Sequence, residues 1–254
     1  MRILLADNHD SFTRNLEHLL VAATGCVPTV VPIDRLDEAT TGWPHAPGDP
    51  ATADPAASST RWDLLVISPG PGTPEEYPQY GPLLGGKSTR MRGPHAADGG
   101  AEARLPAERT TALPSRTAAT PSSDQASAAP AATASPPCAQ PRPVPVPVLG
   151  ICLGLQIINA HFGGVTAPLP GCVHGKPDTV QYAGQTRTVA RYHSLHLSVM
   201  GAGMHVLARN GQGVVMAARH HSLPLLGYQF HPESFLTPDG VWWIRHALHA
   251  LGLR

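Results

Sequence analysis

Apolar and polar positions along the chain alternate between two periods, and the order of those periods predicts a layered α/β protein. Arg2–Ala6 is a short apolar run that ends in the polar turn Asp7-Asn8-His9-Asp10-Ser11, and it reads as a buried strand. Phe12, Leu16, Leu19, Leu20 and Ala23 then recur at helical spacing, with Asp10 expected as N-cap and Gly25 as the stop. Val27–Val31 reads as a second strand, and strand–helix–strand opens a parallel sheet. Asp63–Ile67 is a third buried strand, running straight into Ser68-Pro69-Gly70-Pro71-Gly72. Val144–Ile151 is a further strand, and Leu153–Phe162 a helix closed by Gly163-Gly164. Thr179–Tyr182 and Thr186–Ala190 suggest a hairpin around Gly184. Short strands are expected at His205–Ala208, Val214–Ala218 and Leu225–Phe230, and a last helix over Pro238–Leu251 with Val241, Ile244, Leu248 and Leu251 on one face.

Two stretches break the pattern. Thr40–Thr60 is rich in Pro, Ala, Gly and Asp without periodicity, and it reads as a loop insertion. Residues 85–143 offer only Met91, Leu105 and Leu113 as large apolar side chains. Such a segment cannot bury enough surface to offset its ordering entropy, so a disordered insertion within a single domain spanning 1–254 is expected.

Composition narrows the classes. The formal net charge is zero, which gives no basic footprint for nucleic acid or an anionic membrane. No apolar run reaches the roughly 20 residues of a membrane span. Cys26, Cys138, Cys152 and Cys172 contain no Cys-x-x-Cys pair and no regular spacing. Neither a structural zinc site nor a disulfide framework is therefore expected, and a reducing, cytoplasmic setting is.

Candidate chemistry sits at the ends of expected strands. Gly150-Ile151-Cys152-Leu153-Gly154 lies between a strand and a helix. A sharp turn there pushes its central side chain out of the sheet, and the helix N-terminus favours a thiolate. Flanking glycines relieve crowding at such a turn. His231-Pro232-Glu233 follows an apolar strand. In an extended segment positions i and i+2 share a face, so His231 could meet the thiol while Glu233 holds its other ring nitrogen. The Gly70-Pro71-Gly72 loop ends a third strand, where open α/β sheets bind ligands and where backbone N–H groups can meet a developing oxyanion.

Gly150–Gln156, Gly70-Pro71-Gly72 and Gln229-Phe230-His231-Pro232-Glu233-Ser234 together resemble the class I, triad-type glutamine amidotransferases. Asp7–Thr13, His174-Gly175-Lys176 and Arg191-Tyr192-His193-Ser194-Leu195 are similar to the glutaminase components of anthranilate synthase and aminodeoxychorismate synthase. The resemblance implies a mostly parallel central sheet flanked by helices. It implies Cys152 as nucleophile, His231 as base and Glu233 as its orienting group. It implies an oxyanion hole from the N–H groups of Gly72 and Leu153, and a glutamine site built from Gly70, Gln156, Ser194 and Leu195. It also implies L-glutamine as substrate and, as partner, a chorismate-binding synthase subunit. No cofactor or metal is expected in this chain; a metal, if needed, would belong to that partner. A free-standing cysteine hydrolase on the same fold is the competing reading, but it has no need of Gln156 or the Tyr192–Leu195 pocket.

Overall fold

A computed structural model describes residues 1–41, 43, 62–85, 146–171 and 174–253. Apart from 40, 41, 43 and 85, the expected insertions over 40–60 and 85–143 lie outside the described residues, as do Cys138 and Cys172.

The central sheet contains β1 (Ile3–Asp7), β2 (Thr29–Pro32), β3 (Leu64–Ile67), β4 (Val148–Ile151), β9 (Met204–Arg209), β10 (Val215–His220) and β11 (Leu225–Tyr228). Their order is β2-β1-β3-β4-β11-β10-β9. The first five of that order run parallel, and β10 and β9 add an antiparallel edge. Every residue of β3, β4 and β11 is buried, as expected of strands covered on both faces.

Because successive strand residues point to opposite faces, the two faces build two separate cores. Ile3, Leu5, Leu64, Val66 and Leu149 meet Leu16 and Leu20 of α1 (Thr13–Thr24) and Trp243 and Ile244 of α5 (Gly240–Ala250). Leu4, Ala6, Leu65, Ile67 and Val148 meet Leu155 and Ile158 of α4 (Leu153–His161), with Leu36 of α2 (Leu36–Ala39) and Leu83 of α3 (Gly81–Leu84) in the same cluster. Two antiparallel ribbons flank this body. One is β5 (Val165–Pro168) with β8 (Leu195–Val199), and the other is the hairpin β6 (Lys176–Tyr182) and β7 (Gln185–Arg191). The hairpin turns at Ala183 and Gly184, both at positive φ (50° and 76°), as the tight two-residue turns of twisted ribbons require.

Several boundaries differ from expectation for identifiable reasons. Asp10 is not the N-cap of α1. Its Oδ1 accepts the N–H of Phe12 at 2.8 Å, closing an Asx turn, and Phe12 occupies the cap position without a side-chain bond. Gly25 does stop α1, at φ 70° with its N–H on the Val21 carbonyl. The second strand begins only at Thr29, past Pro28, which has no N–H to give a ladder. Residues 144 and 145 of the expected fourth strand lie outside the described set, and β4 itself starts at Val148. The last helix is shorter than expected by its first two and last residues. The β5–β8 ribbon was not expected. Among the described residues no helix is long and apolar enough to cross a membrane.

Candidate active site

The C-terminal ends of β3, β4 and β11 lie side by side, and each feeds one part of the site. Cys152 follows β4 at once and occupies the N-cap position of α4 with φ 53° and ψ −102°. A non-glycine residue at positive φ is uncommon and is held there by its surroundings. Its N–H donates to the Tyr228 carbonyl at 2.7 Å, tying the turn to β11. A Cβ on Gly150 would strike the backbone of Gly154, and one on Gly154 would stand 2.6 Å from the Ile67 carbonyl oxygen. The flanking glycines are thus set by contact with backbone.

His231 and Glu233 come from the segment after β11. That segment is not extended through Glu233, contrary to the expectation from spacing. His231 pairs with Ala190 of β7, and the chain then turns, with the Ser234 N–H reaching the His231 carbonyl at 3.3 Å. The turn still places the two side chains together: His231 Nδ1 and Glu233 Oε1 are 2.6 Å apart, and both residues are buried. Burial alone would lower the His231 pKa. The charge of Glu233, the proximity of Cys152 and the bond to Glu233 overcome it, and raise the imidazole well above its ordinary value. The ring's Nε2 is buried and makes no hydrogen bond. The arrangement therefore favours an imidazolium beside the Cys152 sulfur.

Thr237 clamps this histidine. Its hydroxyl donates to the His231 carbonyl at 2.7 Å and accepts the Ala190 N–H at 2.9 Å, while the His231 N–H donates to the Ala190 carbonyl at 3.1 Å. The rings of Tyr192 and Phe12 pack 5.0 and 5.4 Å from the imidazole.

The Gly70–Gly72 loop is anchored through Ser68, whose Oγ accepts the Asn8 N–H at 2.9 Å and whose carbonyl accepts the Asn8 side-chain amide at 2.9 Å. The Tyr80 hydroxyl completes this anchor on Asn8 Oδ1 at 2.6 Å. A Cβ on Gly70 would lie 2.7 Å from Leu153 Cδ2, so the loop lies against the start of α4. Gly72 adopts φ 73°, open to glycine at little cost. Leu153 is the first residue of α4, where a helix leaves its N–H without an intrahelical partner.

Gln156 is buried on α4. Its Nε2 donates to the Leu195 carbonyl at 3.4 Å and to Gln229 Oε1 at 3.2 Å. Gln229 in turn places its Nε2 3.6 Å from Cys152 Sγ. The structure thus joins Cys152, Gln156 and Leu195 in one hydrogen-bonded series. Ser194 is beside them in the chain, with an exposed side chain and a carbonyl that accepts the Leu169 N–H at 2.8 Å. Gln229 and Thr237 had no role in the sequence reading. A cavity of about 320 Å³ beside His220, Leu225 and Leu251 lies at the other end of β11, away from these groups.

Comparison with known proteins identifies the family. Residues 4–88 and 127–251 match the family model for class-I glutamine amidotransferases. The chain is 32% identical to an aminodeoxychorismate synthase of Streptomyces griseus, over 94% of its own length but only 25% of that protein's. It is 30% identical to anthranilate synthase component 2 of Mycobacterium tuberculosis, covering 94% of this chain and 78% of that protein. It is also 30% identical to anthranilate synthase component 2 of Thermus thermophilus, covering 98% and 92%. A crystal structure described as a GMP synthase subunit from Thermoplasma acidophilum shares the fold, with a TM-score of 0.60 at 18% identity over 99% of this chain and 94% of that one.

Proposed function

The chain belongs to the class-I glutamine amidotransferase family, and from that premise we propose that it is the glutaminase component of a chorismate-aminating synthase, releasing ammonia from L-glutamine for a separate chorismate-binding subunit. The relatives named aminodeoxychorismate synthase and anthranilate synthase component 2 support this reading. The observation that carries the chemistry is the buried His231–Glu233 pair, 2.6 Å apart, beside a cysteine held in an elbow turn.

In this reading the Cys152 sulfur attacks the glutamine carboxamide carbon. The carbonyl π electrons move to oxygen, and that charge meets the N–H groups of Gly72 and Leu153. His231 passes its proton to the departing nitrogen, so the C–N bond breaks as ammonia and a glutamyl thioester remains. The same imidazole then takes a proton from water, whose oxygen displaces the sulfur and frees glutamate. Glu233 holds the ring orientation and offsets its charge throughout. Gly70, Gln156 and the backbone at Ser194 and Leu195 would hold the substrate's amino and carboxylate groups. No step asks for a metal in this chain. The free thiols of Cys26 and Cys152 suit a cytoplasmic enzyme.

The test is Cys152→Ser in complex with the synthase subunit. Glutamine-dependent synthesis should vanish while synthesis from added ammonium persists. Retained glutaminase activity in Cys152→Ser would remove the mechanism. Full glutaminase turnover by the isolated chain, unchanged by its partner, would favour the free-standing hydrolase.

A further inference from the structure

A buried cation lies one step outside the site and has no part in the mechanism above. Arg191, at the end of β7, is 2% exposed. Its Nη1 donates to Asp178 Oδ2 at 2.8 Å and to Gln212 Oε1 at 3.2 Å. Asn210 Nδ2 donates to the same Asp178 oxygen at 2.8 Å. Burial would raise the Asp178 carboxyl, but the bonds from Asn210, the Thr179 N–H and Arg191, together with the Arg191 charge, hold it below the usual range. The pair is therefore ionised and fixed.

The guanidinium's Nε turns the other way, to His193 Nε2 at 3.3 Å. An arginine can only donate. His193 Nε2 must then carry the lone pair, and its proton must sit on Nδ1. That nitrogen lies 2.8 Å from the Leu195 carbonyl, which can only accept. Both neighbours demand the same neutral tautomer. The Leu195 carbonyl, so placed, also receives Gln156 Nε2. Since that end of the Gln156 amide is the donor, the Gln229 atom it meets is Oε1, and the Gln229 N–H group is the one presented to Cys152 Sγ.

We propose that Arg191 and His193 are positioning residues that fix the Leu195 carbonyl, and through it the Gln156 and Gln229 amides, so that Gln229 delivers a hydrogen bond to the Cys152 sulfur. The substrate half of this inference rests on the glutaminase reading. The sulfur half does not, because the Gln229–Cys152 contact is present without substrate. A hydrogen bond to the charged form favours that form. Leu195 and Gln156 touch the ground-state substrate in this reading, so loosening them should act on KM before kcat.

The test uses the full chain as wild type, His193→Phe, His193→Asn and Gln229→Met. The pH profile of iodoacetamide alkylation is read at the Cys152 peptide by mass spectrometry. His231, which couples to the Cys152 sulfur, and its partner Glu233 are kept in every variant. Gln229→Met should move the alkylation midpoint up by about one pH unit. With the synthase subunit present, His193→Phe should raise the glutamine KM about tenfold with a much smaller change in kcat. His193→Asn keeps an amide donor near the Nδ1 position and should restore most of that loss. An unmoved midpoint in folded Gln229→Met, or equal KM values for His193→Phe and His193→Asn, would overturn the proposal. Should Gln229→Met not fold, the two His193 variants decide it. A shifted midpoint in a chain inactive on glutamine would keep the hydrogen-bond series and remove the glutaminase reading instead.

Discussion

Gly154 rests against the carbonyl oxygen of Ile67 so closely that a Cβ would stand 2.6 Å from it. This contact joins the first turn of α4 to the last residue of β3, the strand that leads into the Gly70–Gly72 loop. Gly154→Ala should force the helix away from the sheet. Overpacking of this kind costs roughly 1–3 kcal/mol. Urea denaturation should show that loss, and glutaminase kcat should fall with it, because Cys152 and the loop share the joint. A variant of wild-type stability and activity would show that the two elements are not coupled there.

Thr237 carries a different burden. Its hydroxyl serves two buried backbone groups, the Ala190 N–H and the His231 carbonyl. Thr237→Val leaves both without that partner and should cost about 1–3 kcal/mol. Since the freed carbonyl belongs to His231, kcat should drop at saturating glutamine, and Thr237→Ser should recover most of it. The comparison of Val with Ser separates the hydroxyl from side-chain volume.

Acid stability should depend on His193. Burial is the main force holding its pKa down to about 4, against the upward pull of its bond to Leu195 and with further lowering from Arg191, His231 and His196. An unfolded histidine titrates near 6.5. Between those values the unfolded chain binds a proton that the folded chain refuses, so stability must fall as pH falls from about 6.5 to about 4 and level off below. At roughly 1.4 kcal/mol per unit the loss approaches about 3 kcal/mol. Urea midpoints across that range should decline less steeply in His193→Phe than in wild type. Parallel curves would contradict the depressed value.

Phe235 follows the catalytic segment and is 87% exposed. In the complex proposed above, a large aromatic left in water beside the site is a candidate contact for the synthase subunit. Phe235→Ala should weaken that complex by about tenfold or more in Kd, the value of burying one such side chain. Glutaminase activity of the isolated chain should be unchanged. Calorimetric titration of the two subunits measures the first, and direct glutamate release the second.

The layered body was legible because its signals are local. Continuous apolar runs marked β1, β3 and β11, and the spacing of Leu16 and Leu20 marked α1. The turn at Cys152 was legible because a strand, two glycines and a helix follow one another within a few residues. His231 and Glu233 were paired correctly on a mistaken premise of extension. The pair forms across a turn, because the chain leaves β11 and the His231 backbone meets Ala190. The β5–β8 ribbon escaped notice since Val165 and Val199, each about half exposed, break the usual alternation of a half-buried strand. Gln229 and Thr237 escaped for a plainer reason. Their meaning lies in partners far along the chain, and no local pattern announces a long-range hydrogen bond.

That same remoteness governs how the protein comes into being. Gln229 reaches the Cys152 sulfur across 77 positions of chain, and Asn8 reaches Ser68 across 60. Contacts so distant in sequence close late, because loop entropy must be met before they give anything back. A nascent or partly collapsed chain can hold its helices and still lack the contacts that surround Cys152. The surroundings of Cys152 are therefore complete only once segments from distant parts of the chain have come together.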